Sequence, residues 1–207
     1  MTAPLTIHFT RHGEVHNPDA ILYGRMPGYY LSETGKIQAQ AAGTHLAGKN
    51  LAAIYCSPME RTQQTAGIIA EAHPENLTPQ VDERLNESHT PFDGTSHEEL
   101  EKTMFDIYAG SEPPYEQPVD IRRRVRDFAA SMRIKHANQE IAAVSHGDIL
   151  VLMFAFAVGQ PEGELGRGKL MKWGLSEYYP TTAGIISLTY STTDPEEIPA
   201  WAYHRPY

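Results

Sequence analysis

Cysteine, long apolar runs and basic side chains are all scarce in this sequence. Only one of the 207 residues is a cysteine, so no disulfide can form within the chain, and the apolar context of Cys56 predicts a buried structural thiol. The longest apolar run, residues 149–158, covers about half of a membrane span. The first residues lack the basic flank and apolar segment of a signal peptide. These absences predict a cytoplasmic protein with no membrane partner.

The charge balance argues against nucleic acid as a partner. The chain has 17 Lys and Arg against 26 Asp and Glu, a formal net charge of −9. Such a surface repels phosphate backbones at range. The dense basic cluster of Arg122, Arg123, Arg124 and Arg126 has carboxylates at neighbouring turns, which predicts a solvated, paired helix face. A small anionic substrate remains compatible with the charge, because a few arginines in a pocket outweigh a diffuse negative field.

Apolar periodicity predicts strands that alternate with helices. Strands are expected at 5–9, 51–56, 79–81 and 141–144, with edge strands at 185–190 and 201–203, and helices at 37–46, 61–72, 100–108, 121–132 and 148–158. Ser32 is the predicted cap of the first helix. This rhythm predicts an α/β fold of three αβα layers, with a mostly parallel central sheet and ligands at the carboxyl ends of its strands. No repeat or linker divides the chain, so residues 1–207 are expected to form a single domain.

Two of the predicted strands end in a histidine followed by a glycine. Arg11-His12-Gly13-Glu14 follows the first strand and Val144-Ser145-His146-Gly147 follows a later one. Glycine lets the backbone bend sharply and approach a ligand closely. His8, His12 and His16 would share a helix face, but the strand and turn signals around them argue against a helix there. No stretch has the ligand spacing of a zinc site, so no metal site is expected.

Together with two further motifs, these segments resemble the histidine phosphatase (phosphoglycerate mutase-like) superfamily. The further motifs are Ser-x-x-x-Arg-x-x-x-Thr-Ala around Arg61 and Arg84-Leu85-Asn86-Glu87, and the four elements follow the family's order between residues 5 and 150. The resemblance implies a phosphoglycerate mutase-like fold and a single histidine phosphatase domain. It also implies two-step phosphoryl transfer without a metal or other cofactor.

The resemblance assigns a role to each matched side chain. His12 would attack phosphorus and carry the group as phosphohistidine, since a neutral imidazole is nucleophilic near pH 7. Arg11 and Arg61 would clamp the phosphoryl oxygens with their guanidinium forks. His146, charged beside a phosphate dianion, would add a further donor. Glu87 would protonate the leaving group and later deprotonate water.

The expected substrate contacts extend beyond the motifs. The segment 17–31 is predicted to be a loop over the site, because loops at strand ends carry specificity. Two local stretches depart from the family: its asparagine often stands one residue further along, and Ser-His-Thr-Pro-Phe-Asp-Gly replaces a Gly-x-aromatic-Glu-Gly pattern after the acid residue. The residues expected to bind substrate are Arg11, Arg61, Asn17, Tyr23, Arg25 and His89.

These assignments predict a phosphomonoester hydrolase that acts on a small phosphorylated metabolite. A cofactor-dependent phosphoglycerate mutase is the alternative within enzymes, and a phosphate-binding module without turnover is the alternative outside them. Structural roles also stay open for single residues. Arg61 could pair with a neighbouring glutamate, Glu87 could be a solvated loop carboxylate, and His146 could be structural.

Overall fold

The computed structural model describes residues 4–163, 165–166 and 168–207, and these residues form one six-stranded sheet with five helices around it. Short 3-10 turns lie at Glu83–Leu85 and Leu170–Trp173. The strands and helices are, in chain order, β1 (Leu5–Arg11), α1 (Glu33–Ala47), β2 (Leu51–Cys56), α2 (Glu60–Ala72), β3 (Gln80–Val81), α3 (His97–Glu101), α4 (Pro118–Lys135), β4 (Gln139–Ser145), α5 (Gly147–Ala157), β5 (Ile185–Tyr190) and β6 (Ala200–His204).

The sheet has the order β3-β2-β4-β1-β5-β6. The first four of these strands are parallel, and β5 runs antiparallel to both of its neighbours. The predicted α/β fold with a mostly parallel sheet is therefore confirmed. The prediction of two edge strands holds for β6 only, because β5 is paired on both sides.

Helices cover both faces of the sheet and give the three predicted layers. On one face, α4 and α5 pack over β1 through a core that includes Phe9, Phe128 and Phe154. On the other face, α1 and α2 cover a smaller core that includes Ile54 and Ile69. A sheet buried on both sides requires apolar strands, which β1, β2 and β4 supply.

Capping and periodicity in the sequence place two of the helices correctly. The Ser32 hydroxyl accepts a hydrogen bond from the Gly35 amide, so it caps α1 as predicted. Along α4, the spacing of four, three and four residues places one apolar stripe on the core. Its buried members are Ile121, Val125, Phe128 and Met132.

Residues 100–108 do not form the predicted helix. The helix α3 ends at Glu101, and Met104 and Phe105 then adopt left-handed backbone angles with φ of 53° and 58°. These angles interrupt a right-handed helix. Ile107 and Tyr108 reach the core from a loop, whereas the Met104 side chain is 86% exposed. The helical spacing in the sequence thus joins Leu100, in α3, to loop residues, of which Ile107 and Tyr108 are buried in the core.

The structure also bears on the expected burial of Cys56 and on the length of the apolar helices. Cys56 is buried in the core as predicted, and burial raises the pKa of its thiol to about 11. Among the residues that the structure describes, no helix is both long enough and apolar enough to cross a bilayer.

Candidate active site

The ends of β1 and β4 bring the two His-Gly segments together. Arg11 is paired with Ser145 in the parallel register, and the His12 amide donates to the Ser145 carbonyl at 3.0 Å. Each histidine therefore leaves the sheet at the same edge. The rings of His12 and His146 lie 5.3 Å apart between centroids in an edge-to-face arrangement.

The backbone fixes the tautomer of His12. Its Nδ1 lies 2.8 Å from the carbonyl oxygen of Gly13, which can only accept, so Nδ1 carries the proton and Nε2 carries the lone pair. Burial, and then the positive charges of Arg61 and Arg11, hold the pKa of His12 well below its usual value. The ring is therefore neutral at physiological pH, with a lone pair at Nε2.

Glycine is required beside this histidine because the loop packs tightly against α1. A Cβ atom at Gly13 would lie 2.3 Å from the carbonyl oxygen of Gly35, a distance that no real contact allows. The side chains of Glu14 and Ser32 tie the same loop to the start of α1 through a hydrogen bond of 2.6 Å. The conformation that orients His12 therefore depends on close packing at this point.

Arg61 enters the site from the first turn of α2 and is fully buried. Its Nη2 donates to the Gly24 carbonyl at 2.8 Å and lies 3.1 Å from Nδ1 of His146. Within the described residues, Nε and Nη1 of Arg61 have no hydrogen-bond partner. Leaving a buried donor unpaired costs about 1–3 kcal/mol, so these two groups suit an acceptor supplied by a ligand.

Arg11 presents a third unsatisfied donor from the end of β1. Its Nη1 donates to the Pro180 carbonyl at 2.7 Å, and its guanidinium lies over the Tyr179 ring. The buried Nε of Arg11 has no partner in the part of the chain that the structure describes. Two guanidinium groups with free donors thus flank His12, which is the arrangement that matches the oxygens of a phosphoryl group.

His146 is buried, and without a bound anion its ring is neutral rather than charged. Its Nε2 lies 2.8 Å from the Ser57 hydroxyl. Because Arg61 can only donate, the neutral ring accepts at Nδ1 and holds its proton at Nε2. Burial and the charge of Arg61 hold the pKa of His146 well below its usual value. A phosphate dianion at the site would favour the charged form.

The Glu87 carboxyl lies beside both of these groups. Its Oε2 is 3.3 Å from Nδ1 of His146 and 3.7 Å from Nη2 of Arg61. Burial raises the pKa of Glu87 above its usual value, and Asp148 adds to this shift while Arg61 opposes it. The side chain is not the solvated carboxylate of the alternative interpretation, and the raised pKa favours a proton donor.

Two arginines hold the backbone of Glu87 in place. Its carbonyl oxygen accepts from Nε of Arg25 at 2.8 Å and from Nη2 of Arg124 at 3.2 Å. Both arginines also bind the Glu116 carboxylate. Arg25 is therefore bonded to the Glu87 backbone and to Glu116. It is not among the residues that line the cavity, so the structure does not show the substrate contact expected for it.

Of the three remaining residues predicted to bind substrate, one lines the cavity and two do not. Tyr23 lines the cavity and lies under the Arg61 guanidinium. The Asn17 amide is bonded to the backbone of Ile21, and the His89 ring lies against Tyr115. Neither Asn17 nor His89 lines the cavity, and in the described part of the chain neither side chain is bonded to Arg11, His12, Arg61 or Glu87. Arg61 and His146 do not line the cavity either, but they lie 3.7 Å and 3.3 Å from Glu87, so the structure brings these two to the site and not Asn17 or His89.

The basic cluster on α4 is not the solvated face that the sequence predicted. Arg122 is buried and donates to the carbonyls of Gln160 and Pro161, and Arg124 braces Glu87. Arg126 lies over the Phe156 ring, so Arg123 alone is mostly exposed. The apolar stripe of α4 does not reveal these roles, because the partners of the arginines come from distant loops.

The sequence also did not predict a chain of hydrogen bonds that starts at the Glu87 carboxyl. Its Oε1 accepts from the Ser88 amide at 2.8 Å, and the Ser88 hydroxyl lies 2.9 Å from the hydroxyl of Tyr108. Tyr108 in turn donates to Asp148 at 2.7 Å. These residues lie in loops and in the first turn of α5. Nothing in their spacing along the sequence indicates that they meet.

The site opens into a cavity of about 500 Å³. Arg11, His12 and Glu87 form its inner end, and the loops after β1 and α3 form its walls. Among the residues that the structure describes, no three His, Cys, Asp or Glu side chains are grouped so that they could hold a metal ion. Arg11 is the arginine that lines the cavity, and the volume lies in the range of small-molecule sites.

Two known bacterial proteins are similar to this chain in sequence. The chain is 34% identical over 138 residues to phosphoserine phosphatase 1 of Hydrogenobacter thermophilus, covering 62% of this chain and 64% of that protein. It is 30% identical over 182 residues, 83% of each chain, to a Yersinia pestis protein named "Probable phosphoglycerate mutase GpmB".

A solved structure shares the fold over almost its whole length. The mycobacterial glucosyl-3-phosphoglycerate phosphatase matches with a TM-score of 0.74 at 23% identity, covering 98% of this chain and 97% of that one. The profile of the histidine phosphatase superfamily (branch 1) matches residues 7–191. The chain therefore belongs to the histidine phosphatase superfamily and is an enzyme of that type.

Proposed function

We propose that this enzyme hydrolyses phosphate monoesters of small metabolites through a phosphohistidine at His12, without a metal ion. The observation that carries the proposal is the set of free donors around one lone pair. In the described part of the chain, Arg11 and Arg61 hold buried unpaired N–H groups, and both act electrostatically on a histidine whose Nε2 is unprotonated. A phosphoryl group placed there would satisfy the donors and meet the nucleophile at once.

In the first step, Nε2 of His12 forms a bond to phosphorus while the bond from phosphorus to the ester oxygen breaks. The electron pair of that bond leaves with the oxygen, which takes a proton from Glu87. The raised pKa of Glu87 supports this role, since it keeps the carboxyl protonated at higher pH than an exposed glutamate. The product is an alcohol, with the phosphoryl group held on the ring.

In the second step, the Glu87 carboxylate takes a proton from water as the water oxygen attacks phosphorus. The bond between phosphorus and Nε2 breaks, and its electrons restore the lone pair of His12. Inorganic phosphate leaves and Glu87 is again protonated. Arg11 and Arg61 stabilise the equatorial oxygens in both steps, and His146 adds a donor once the dianion favours its charged form.

Composition and charge support a proposal for the location and partner of the enzyme. We place the enzyme in the cytoplasm as a single domain over residues 1–207, where the free thiol of Cys56 stays reduced. Its partner is a small phosphate ester rather than a nucleic acid, because the formal net charge is −9. Isomerisation of a phosphoglycerate is the second candidate, which the likeness to the Yersinia pestis protein supports.

A panel of phosphate esters with and without a chelator tests the proposal. We expect release of inorganic phosphate that is insensitive to chelator. Isomerised 3-phosphoglycerate would instead indicate the mutase, tight binding without either product would indicate a binding module, and loss of activity with chelator would contradict the metal-free reaction.

Replacing Arg61 tests the clamp itself. Removing one such electrostatic donor costs about a hundredfold to a thousandfold in rate, so Arg61→Ala should lose that much kcat/KM. Arg123→Ala is the matched control, because Arg123 is mostly exposed on α4 and lies outside the site. Circular dichroism would verify that both variants are folded. Near-parent turnover by folded Arg61→Ala would refute the clamp.

A further inference from the structure

The outer part of the cavity differs in chemistry from its inner end. Beyond Arg11, His12 and Glu87, much of the wall consists of hydrocarbon and aromatic side chains from the loops after β1 and α3 and before β5. The polar residues among them are Ser88, Thr90, His97 and Asp148. Ile107 is buried, Leu22 is half-buried and Tyr178 lies exposed at the rim. The apolar members of this outer wall are Ile21, Leu22, Met104, Phe105, Ile107 and Tyr178.

Two of the hydroxyl groups in the same wall are already bonded inside the protein. The Thr90 hydroxyl donates to the Ile107 carbonyl at 3.1 Å. The Tyr179 hydroxyl donates to Asp148 at 2.7 Å. A hydroxyl engaged in this way has less to offer a polar ligand, so the wall presents mainly carbon beside the polar groups of Tyr23, His97 and Tyr178.

Two large side chains that line the cavity are mostly exposed to solvent. Met104 is 86% exposed and Tyr178 is 67% exposed, and both line the cavity. Met104 is held outward by the left-handed backbone at residues 104 and 105. Exposed apolar groups clustered at the mouth of a cavity are typical of a ligand-binding site.

We propose that this outer wall binds an apolar leaving group, so that the preferred substrates are phosphate monoesters of aliphatic or aromatic alcohols. This inference rests on the proposed function, because it assumes that the phosphoryl group occupies the inner end. The selectivity comes from the removal of carbon from water, whereas a polyhydroxylated alcohol would lose hydrogen bonds to water and regain few.

A series of n-alkylphosphonates tests binding separately from turnover, because their bond from carbon to phosphorus is not hydrolysed. Methyl-, propyl- and hexylphosphonate are titrated calorimetrically into the full chain. Burying one methylene contributes enough for about a fourfold gain in affinity, so Kd should fall by roughly that factor with each added carbon. A flat series would overturn the inference.

The matching ester series measures selectivity in catalysis. Methyl, propyl and hexyl phosphate have leaving alcohols of similar acidity, so a rise in kcat/KM along the series reports binding of the chain. Propyl phosphate should exceed glycerol 1-phosphate, which has the same length with two hydroxyl groups. Equal or reversed preference within this pair would contradict an apolar wall.

A variant of the wall links the effect to its residues. Leu22→Ala should reduce the ratio of hexyl to methyl activity by about fivefold, and Leu22→Met, which keeps similar hydrocarbon, should restore the ratio. Ile37→Ala is the matched control, because Ile37 is 66% exposed on α1 and does not line the cavity. An unchanged ratio in folded Leu22→Ala would overturn the assignment of Leu22.

The two series also separate the inference from the function on which it rests. Phosphate release that is independent of chain length would overturn the inference and leave the hydrolase standing. Phosphonate affinity that rises with chain length, in a protein that releases no phosphate from any ester, would support the apolar wall and refute the hydrolase.

Discussion

The lone pair of His12 at Nε2 is set by one hydrogen bond from Nδ1 to the Gly13 carbonyl. Its neutral state is set by burial and by the two arginines that would also hold the substrate. In the proposed mechanism, the same cationic environment therefore keeps the nucleophile neutral and binds the phosphoryl group. In the proposed mechanism Glu87 needs the opposite tuning, and burial supplies it by raising its pKa.

These shifts predict the pH dependence of kcat/KM, which reports ionisations of the free enzyme. Protonation of His12 removes the lone pair, so activity should fall on the acid side only at pH values below the ordinary histidine pKa of 6.5. Deprotonation of Glu87 removes the acid, so the alkaline limb should lie above the ordinary glutamate pKa of 4.5.

Glu87→Gln is the variant that assigns the alkaline limb. It should lower kcat/KM by about a hundredfold or more and remove that limb, since the amide neither donates the acid proton nor titrates. The limb can be followed with an ester whose own ionisation is known. An alkaline limb that survives in Glu87→Gln, or an acid limb above pH 6.5, would contradict these roles.

At the residue scale, the sequence predicted the residues of the site that belong to a recognisable motif. His12, His146, Arg11, Arg61 and Glu87 were all predicted, and the structure places them together at one edge of the sheet. Residues that act through loop contacts were not predictable in the same way. Arg124 was expected in a solvated face, yet it binds the backbone of Glu87 because a loop 37 residues away folds against α4.

At the scale of elements, the site depends on where strands end and helices begin. The His12 and His146 segments leave adjacent parallel strands, while Arg61 lies in the first turn of α2. The sequence located these ends because alternation stops and a glycine follows. It failed at residues 100–108, where apolar side chains with helical spacing belong to a loop that lines the cavity.

The cap of α1 gives a prediction at this scale. Ser32→Ala removes the acceptor for the Gly35 amide and the bond to Glu14, so the free energy of unfolding should fall by about 1 kcal/mol. Urea unfolding measures the change. Thr34→Ala removes an exposed hydroxyl in the same turn and should change stability by less than about 0.5 kcal/mol. Equal effects of the two variants would contradict the capping role.

At the scale of the whole molecule, the alternation of strands and helices was enough to predict a three-layer α/β fold. The order of strands across the sheet and the antiparallel direction of β5 depend on contacts between distant segments, so periodicity did not reveal them. The formal net charge of −9 coexists with a cationic pocket because Arg11 and Arg61 are concentrated at one sheet edge. Local placement therefore decides which ligand the acidic molecule accepts.

The most direct measurement is detection of phosphate bound to the protein during turnover. A phosphate ester is mixed with the enzyme, quenched within milliseconds under alkaline conditions and analysed by intact mass and peptide mapping. We predict one phosphoryl group on the His12 ring, stable in alkali and lost in acid, and neither this species nor phosphate release in folded His12→Ala. Phosphate release by His12→Ala at the parent rate, or a phosphoryl group on another residue, would contradict the mechanism.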